Sequence, residues 1–224
     1  MEDPIRPIRF KAVAFDLDGI LIDTEPIFGE AVRRFLDRRR LEFDAEFMHT
    51  MMGTPAAQSL PRFRERFQLP EPLEIIAREA RDLFFEVLGD RPGPLMPGVA
   101  TFLEQLRQRR TPFCIATSSG PDFVRTVFGP HGLLDRFDFI LTCDDVKRGK
   151  PFPDVYQLAA KRFPVAAGEM LVFEDSPNGL RAAKAAGASC VVVPHAGTPR
   201  YLLEGADAIV PSLESAELRR LLGW

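Results

Sequence analysis

The chain has 224 residues, 46% of them hydrophobic and 27% charged, proportions that exclude a disordered or fibrous protein. Its formal net charge of -3 offers no basic footprint for a nucleic acid polymer or a membrane surface. No apolar run reaches the roughly 20 residues of a membrane-spanning helix, and residues 1–9 lack the apolar core of a signal peptide. Cys114, Cys143 and Cys190 lie in apolar surroundings, which favours buried, reduced thiols. We therefore expect a soluble, cytoplasmic protein with one large domain, or a domain plus an insertion.

The first half of the chain combines one apolar run with a long helical block. Phe10–Phe15 is typical of a strand that is buried on both faces. From Glu25 to about Leu88, hydrophobic residues recur every three to four positions, which predicts helices, one of them over Pro55–Phe67. The following stretch, Gly89–Gly98, is dense in Gly and Pro and predicts a connector.

After the connector, helices and strands alternate. The predicted elements are helix Val99–Arg109, strand Phe113–Ala116, helix Pro121–Phe128, strand Phe139–Thr142, helix Pro153–Phe163, strand Met170–Phe173, helix Pro177–Ala186, strands Ser189–Val193 and Ala208–Val210, and a last helix near Glu214–Leu222. This alternation predicts an α/β fold with a mostly parallel sheet and helices on both faces. The first strand must join that sheet to be buried, so the helical block is an insertion between the first strand and the rest.

Four polar clusters follow the carboxyl ends of predicted strands. They are Asp16–Gly19, Thr117–Gly120, Gly149–Pro151 and Glu174–Ser176. The carboxyl edge of an open parallel sheet is where ligands bind, so we expect all four clusters in one pocket. Alone, each has an ordinary explanation: a turn, an N-cap loop, a solvated lysine or a helix start. Their joint occurrence after successive strands favours a site.

The charges of these clusters indicate a chemistry. Carboxylates gathered in one cleft repel each other unless a cation lies among them, and oxygen ligands without His or Cys point to Mg²⁺. Lys150 and the polar groups of Thr117–Gly120 are suited to hold phosphate oxygens. Asp16 is then placed to attack phosphorus and form an aspartyl-phosphate. Asp18 is placed to protonate the leaving oxygen and later to deprotonate water.

The same residues resemble the motifs of a known superfamily. Asp16–Glu25 resembles the first motif of the haloacid dehalogenase-like superfamily, and Thr117-Ser118, Lys150-Pro151 and Glu174-Asp175 resemble its second, third and fourth motifs. The resemblance implies a Rossmann-like catalytic core, residues 1–22 and 92–224, and an inserted helical cap of the C1 type, residues 23–91.

The resemblance also implies roles for individual residues. It assigns Asp16 as the nucleophile and Asp18 as the acid/base, with Thr117 and Lys150 completing the catalytic set. Mg²⁺ would be held by Asp16, the backbone carbonyl of Asp18 and Asp175, with Glu174 acting at the metal through water. The expected phosphate-binding set is Gly19, Thr117, Ser118, Ser119, Lys150 and Asn178.

Within the superfamily, the chain resembles pseudouridine monophosphatases, glycerol-3-phosphatases and β-phosphoglucomutase-like phosphatases. The resemblance to the first two is carried by the stretches Leu95–Gly98, Ala116–Gly120 and Val172–Asp175. Dehalogenases lack the second aspartate of the first motif, so Asp18 favours phosphoryl transfer. The mutase signature Gly-x-x-Arg falls on Gly53–Ala56, where the arginine is missing, although Arg62 or Arg64 lies nearby. We predict a Mg²⁺-dependent phosphatase of a small phosphomonoester (a sugar, polyol or nucleotide monophosphate) that is a monomer or weak homodimer. A phosphomutase and a phospho-accepting signalling module are the alternatives.

Overall fold

A sheet of six parallel strands forms the centre of the protein, which a computed structural model describes over residues 7–51, 56–90, 92–195, 198 and 200–224. The strands are β1 Ala12–Phe15, β2 Phe113–Ala116, β3 Ile140–Leu141, β4 Met170–Glu174, β5 Ser189–Val192 and β6 Ala208–Ile209. Their order across the sheet is β3-β2-β1-β4-β5-β6. Every residue of β1 and β4 is buried, as their uninterrupted apolar sequences predict. The predicted Rossmann-like α/β fold is confirmed.

Nine α-helices lie in the described part of the chain. They are α1 Glu25–Asp37, α2 Ala45–His49, α3 Ala56–Arg66, α4 Leu73–Leu88, α5 Val99–Gln108, α6 Pro121–Phe128, α7 Asp154–Arg162, α8 Pro177–Ala186 and α9 Ala216–Leu222. Five of them, α1 to α5, fall between β1 and β2, the place in the chain where the inserted helical cap is predicted. Pro55, the expected start of α3, lies outside the described residues. Across the described ranges, we find no helix with the length and hydrophobicity needed to span a bilayer.

Alternate residues of the strands face two separate hydrophobic clusters. Val13 and Phe15 belong to one cluster, which includes residues of α5, α6 and α9 as well as of the inserted helices. Ala14 belongs to the other, which is built on α7 and α8 and is rich in alanine. Side chains on successive strand residues point to opposite faces of a sheet, so each face of β1 is covered by its own layer of helices.

The ends of α8 follow its sequence signals. Ser176 precedes the helix and its Oγ accepts a hydrogen bond from the N–H of Gly179 at 3.0 Å, which is the expected N-cap. Gly187 follows the helix with a φ of 87°, a conformation that glycine adopts readily and that ends many helices.

The end of β3 differs from its prediction. Thr142 leaves the strand and caps the 3₁₀ turn Cys143–Asp145, where its N–H donates to Asp145 Oδ2 at 2.8 Å. This cap shortens the predicted strand. The turn also leaves Cys143 exposed, so the expectation of three buried thiols is wrong for Cys143 and confirmed for Cys114 and Cys190.

The two segments that connect the inserted helices to the sheet run side by side. The N–H of Asp23 donates to the carbonyl of Pro94 at 2.8 Å, and the N–H of Met96 donates to the carbonyl of Leu21 at 3.0 Å. The insertion therefore leaves and re-enters the sheet at one place. The division into a core of residues 1–22 and 92–224 and a cap of residues 23–91 stays a prediction.

Candidate active site

Asp16 and Asp18 lie just beyond β1, at the carboxyl edge of the sheet. The N–H of Asp16 donates to the carbonyl of Phe173 in β4 at 3.0 Å, so Asp16 continues the line of the strand. Asp18 Oδ1 accepts from Thr24 Oγ1 at 2.7 Å, and its Oδ2 accepts from Ser119 Oγ at 2.8 Å. Thr24 occupies the N-cap position of α1, yet its side chain makes no cap hydrogen bond. Both oxygens of Asp18 are thus oriented by hydroxyl groups, one from the residue before α1 and one from the loop after β2.

Lys150 bridges two carboxylates inside the protein. Its Nζ lies 2.6 Å from Asp16 Oδ1 and 2.6 Å from Glu174 Oε1. The side chains of Lys150, Asp16 and Glu174 are only 5%, 11% and 0% exposed, so water screens these attractions weakly. Burial opposes the charge on Lys150, but Asp16 and Glu174 outweigh it and raise the pKa of Lys150 above its usual value. The lysine remains a cation.

Three carboxylates converge beside Lys150. Asp16, Glu174 and Asp175 each offer an oxygen atom, and these atoms lie within 4.8 Å of one another. Burial raises the pKa of Asp16 to about 7; the charge of Lys150 opposes that rise, and the nearby Glu174 and Asp18 add to it. Burial also raises the pKa of Asp175 well above its usual range, followed by repulsion from Asp16 and Glu174. The negative charges of these carboxylates therefore repel one another.

The donor set of this acidic group fits Mg²⁺. The group consists of carboxylate oxygens without His or Cys, which is the ligand chemistry of a hard divalent cation. A cation among Asp16, Glu174 and Asp175 would also relieve their mutual repulsion. The side chain of Asp18 is outside this group and is held by Thr24 and Ser119. A contribution from the backbone carbonyl of Asp18 stays a prediction.

Gly19 makes the close approach of Asp175 possible. Gly19 has a φ of +73°, and a Cβ added there would lie 2.4 Å from Asp175 Oδ2. A side chain at this position would therefore collide with one of the three converging carboxylates, in a backbone conformation that glycine adopts more readily than other residues.

The polar residues of the loop after β2 differ in burial and in their hydrogen-bond partners. Thr117 is buried, and its Oγ1 accepts from the N–H of Ser119 at 3.0 Å. Ser119 reaches Asp18 directly, whereas Ser118 is exposed. Asn178 is buried in the first turn of α8, and its Oδ1 accepts from Arg181 Nη2. The structure thus brings Ser119 into contact with the expected acid/base, while the phosphate-binding roles of Thr117, Ser118 and Asn178 stay predictions.

Sequence reasoning placed Ser176 in the fourth polar cluster but did not predict that two hydroxyl groups bind Glu174. The Tyr156 hydroxyl in α7 donates to Glu174 Oε1, and Ser176 Oγ donates to Glu174 Oε2 at 3.2 Å. The available signal for Tyr156 was a hydroxyl group at a core-facing position of a predicted helix, six residues after Lys150. Thr24 was missed as well, because it reads as an ordinary N-cap residue.

The two arginines near Gly53–Ala56, where a mutase signature would fall, bind other residues of the insertion. Met52 to Pro55, and thus most of Gly53–Ala56, lies outside the described residues. Arg62 Nη2 donates to Thr50 Oγ1 at 3.0 Å, and Arg64 Nε donates to the carbonyl of Leu69 at 3.2 Å. Both arginines therefore bind segments that connect the inserted helices.

The parallel sheet, with carboxylates and a lysine at its carboxyl edge, is typical of one class of hydrolases. The haloacid dehalogenase-like hydrolase family matches residues 10–187 of the chain, and the chain belongs to that family. It is 36% identical over 206 residues to "Probable pseudouridine-5'-phosphatase" of Drosophila melanogaster, covering 89% of this chain and 88% of that protein. It is 34% identical over 207 residues to "Phosphorylated carbohydrates phosphatase" of Thermotoga maritima, covering 89% of this chain and 94% of that protein.

The fold of the chain is also similar to that of a solved structure. CbbY from Rhodobacter sphaeroides, in complex with phosphate, has a TM-score of 0.76 and 30% identity, covering 91% of this chain and 95% of that chain. The resemblance to the haloacid dehalogenase-like superfamily is confirmed, and the chain is a phosphoric monoester hydrolase.

Proposed function

We propose that this enzyme is a Mg²⁺-dependent phosphatase that hydrolyses a small phosphomonoester through an aspartyl-phosphate on Asp16. One observation carries the proposal: Lys150 lies 2.6 Å from both Asp16 and Glu174, within a group of three converging carboxylates. Such a site combines an anionic nucleophile with the positive charge that an incoming phosphate requires.

Asp16, Asp175 and Glu174 would hold the metal. Their oxygens converge within 4.8 Å, and Mg²⁺ bound there supplies positive charge that polarises the phosphoryl group and offsets its repulsion from Asp16. Glu174 already accepts hydrogen bonds on both of its oxygens. We therefore assign Glu174 the outer position, reaching the metal through water, and Asp16 and Asp175 the direct positions.

The reaction proceeds in two displacements at phosphorus. An oxygen of Asp16 attacks, the bond from phosphorus to the leaving oxygen breaks, and Asp18 gives that oxygen its proton. Asp18 then takes a proton from water as the water attacks phosphorus, which breaks the bond to Asp16 and releases inorganic phosphate. Burial raises the pKa of Asp18, although hydrogen bonds from Thr24 and Ser119 oppose the rise. A raised pKa suits a carboxyl group that must donate a proton near neutral pH.

The inserted helices are suited to act as a cap. Thr24, immediately before α1, holds Asp18, and Glu25, the first residue of α1, lies 2.6 Å from His195 in the loop after β5. The start of the insertion is thus tied to the edge of the sheet where the carboxylates meet. Such a cap, residues 23–91, would exclude bulk water while Asp16 reacts.

The substrate proposed here is a small phosphorylated sugar, polyol or nucleotide. The two relatives above are named for pseudouridine 5'-phosphate and for phosphorylated carbohydrates, which are compounds of this size. Binding of such a metabolite needs no nucleic acid polymer and no membrane. The cytoplasmic location and the monomeric or weakly dimeric state stay predictions.

The test is a screen of phosphorylated sugars, polyols and nucleotides in the presence of Mg²⁺. The measured quantity is the inorganic phosphate that is released. Asp16→Asn should abolish release, and the matched control Asp122→Asn, whose side chain is 92% exposed, should retain it. Activity that survives in Asp16→Asn would overturn the assignment of the nucleophile.

The same assay separates the alternatives. Transfer of the phosphate to a second position of the same compound, with little inorganic phosphate released, would favour a phosphomutase. A phosphorylated protein that persists without turnover would favour a signalling module. Rapid release of inorganic phosphate, dependent on Asp16 and on Mg²⁺, supports the phosphatase.

A further inference from the structure

Tyr156 is a buried polar residue for which the proposed reaction has no use. It lies in α7 and is 0% exposed, packed in the alanine-rich cluster beneath the sheet. A phenylalanine would fill the same space, so the ring alone does not account for a hydroxyl group. A buried hydroxyl that lost its hydrogen bond would cost stability, and its partner is therefore informative.

That partner is Glu174, on the same oxygen that binds Lys150. The Tyr156 hydroxyl donates to Glu174 Oε1, which also accepts from Lys150 Nζ at 2.6 Å. The Lys150 ammonium in turn lies 5.1 Å from the centre of the Tyr156 ring.

This contact affects how Lys150 is shared between two carboxylates. Lys150 lies at equal distances of 2.6 Å from Asp16 Oδ1 and Glu174 Oε1. A hydrogen bond to Glu174 Oε1 spreads the negative charge of that oxygen and limits the rotation of the carboxylate. Without it, Glu174 would attract Lys150 more strongly and would turn more freely, so Lys150 would move away from Asp16.

We propose that Tyr156 is a positioning residue that acts through Glu174. Its hydroxyl holds the carboxylate of Glu174 in the orientation that centres Lys150 beside Asp16 and keeps Glu174 within the acidic group that would hold the metal. This inference rests on the proposed function for its consequence in catalysis. Its consequence for metal binding is measurable on its own.

The test compares Tyr156→Phe with Tyr201→Phe. These are the two tyrosines of the chain, and Tyr201 is 77% exposed, so the same chemical change is made at a surface position. Residues that orient metal ligands typically contribute 10- to 100-fold to metal affinity or activity. For Tyr156→Phe we expect the Mg²⁺ concentration that gives half of the thermal stabilisation to rise about tenfold. We also expect kcat for p-nitrophenyl phosphate to fall about tenfold while KM changes less than twofold, because Tyr156 does not touch substrate.

A purely structural role gives a different result. Tyr156→Phe would then lower the melting temperature without Mg²⁺, while kcat and the half-saturating Mg²⁺ concentration would match those of Tyr201→Phe. That outcome would overturn the inference.

A double variant tests whether the effect passes through Glu174. In the background of Glu174→Gln, removal of the Tyr156 hydroxyl should change the half-saturating Mg²⁺ concentration less than twofold, because the two changes are coupled. A tenfold change that persists in that background would refute the route through Glu174. Mg²⁺-induced stabilisation is measured without substrate, so a protein that shows the expected coupling but releases no phosphate would refute the proposed phosphatase and leave the Tyr156 inference supported.

Discussion

Gly179 offers the sharpest test of how the site is built. It lies in the first turn of α8, directly against the carboxylate of Glu174. A Cβ added to Gly179 would lie 1.8 Å from Glu174 Cδ and 1.9 Å from each of its oxygens. To reach ordinary contact at 3.4 Å, the carboxylate or the helix would have to move by about 1.5 Å.

Such a movement would disturb the ion pair at the centre of the site. Glu174 Oε1 lies 2.6 Å from Lys150 Nζ, and a displacement of about 1.5 Å exceeds what a hydrogen bond tolerates. Misplacement of catalytic groups by about 1 Å can cost 100-fold in rate. We therefore expect Gly179→Ala to lower kcat/KM by about 100-fold, and forcing a methyl group into this space to cost about 1–3 kcal/mol of stability.

Gly29 provides the matched control, because it also lies inside a helix, α1. A Cβ there would meet Arg33 Nη1 at 3.6 Å, which is ordinary contact. Replacing a helical glycine by alanine gains about 0.5–1 kcal/mol, so Gly29→Ala should raise the melting temperature. Both variants gain the same helix propensity from alanine. The difference between their stabilities therefore measures the cost of the contact between the new methyl group and Glu174.

The assays are thermal denaturation without Mg²⁺ and phosphate release with Mg²⁺. At this chain length, 1 kcal/mol corresponds to about 2–4 °C in melting temperature. Gly179→Ala should therefore melt roughly 2–12 °C below Gly29→Ala. Equal melting temperatures and equal activities in the two variants would refute the reasoning that Gly179 makes room for Glu174.

Three further predictions concern charge. Lys150→Met should lower the free energy of unfolding by about 3 kcal/mol in urea titrations at pH 8, because it leaves the buried Asp16 without its cation; an unchanged midpoint would contradict this. Mg²⁺ added after chelator treatment should raise the melting temperature of wild type more than that of Asp16→Asn, and equal rises would remove Asp16 from the metal site. Hydrogen bonds from Arg39 lower the pKa of Glu79 from its ordinary 4.5, so its contribution is present above about pH 4.5 and lost as the pH falls through the lowered value. Glu79→Gln should thus melt below wild type at pH 7 and converge with it as the pH falls below the lowered pKa of Glu79; a difference that stays constant with pH would refute the assignment.

The fold was predictable wherever a signal is local. β4 was predicted to within one residue, because a strand buried on both faces reads as an apolar run that ends at a charged residue. The ends of α8 were predictable from Ser176 and Gly187, which act within one turn of the helix. β3 is shorter than predicted by one residue at each end, and at its carboxyl end the cap formed by Thr142 and the 3₁₀ turn competes with strand pairing. The helix α2 has only five residues, too few for a hydrophobic period to show.

The candidate site shows the same division. Its carboxylates and its lysine were predictable, because charged residues that follow buried strands must surface at one edge of a parallel sheet. Ser118 and Ser119 could not be told apart, since they are chemically identical neighbours, and only the path of the loop turns Ser119 towards Asp18. Tyr156 could not be separated from an ordinary core aromatic, because its partner Glu174 lies on a different element.

The amino-acid sequence by itself determined which chemical groups are present and on which edge of the sheet they emerge, because strand burial and helix caps depend on residues a few positions apart. Only the tertiary structure decided which groups touch. Lys150 and Asp16 are 134 residues apart along the chain, and Ser119 and Asp18 are 101 apart. Ser119 reaches Asp18 because the strand order places β2 beside β1. Lys150 follows β3, which is not adjacent to β1, so its contact with Asp16 depends on the path of its loop and on the packing that fixes each side chain.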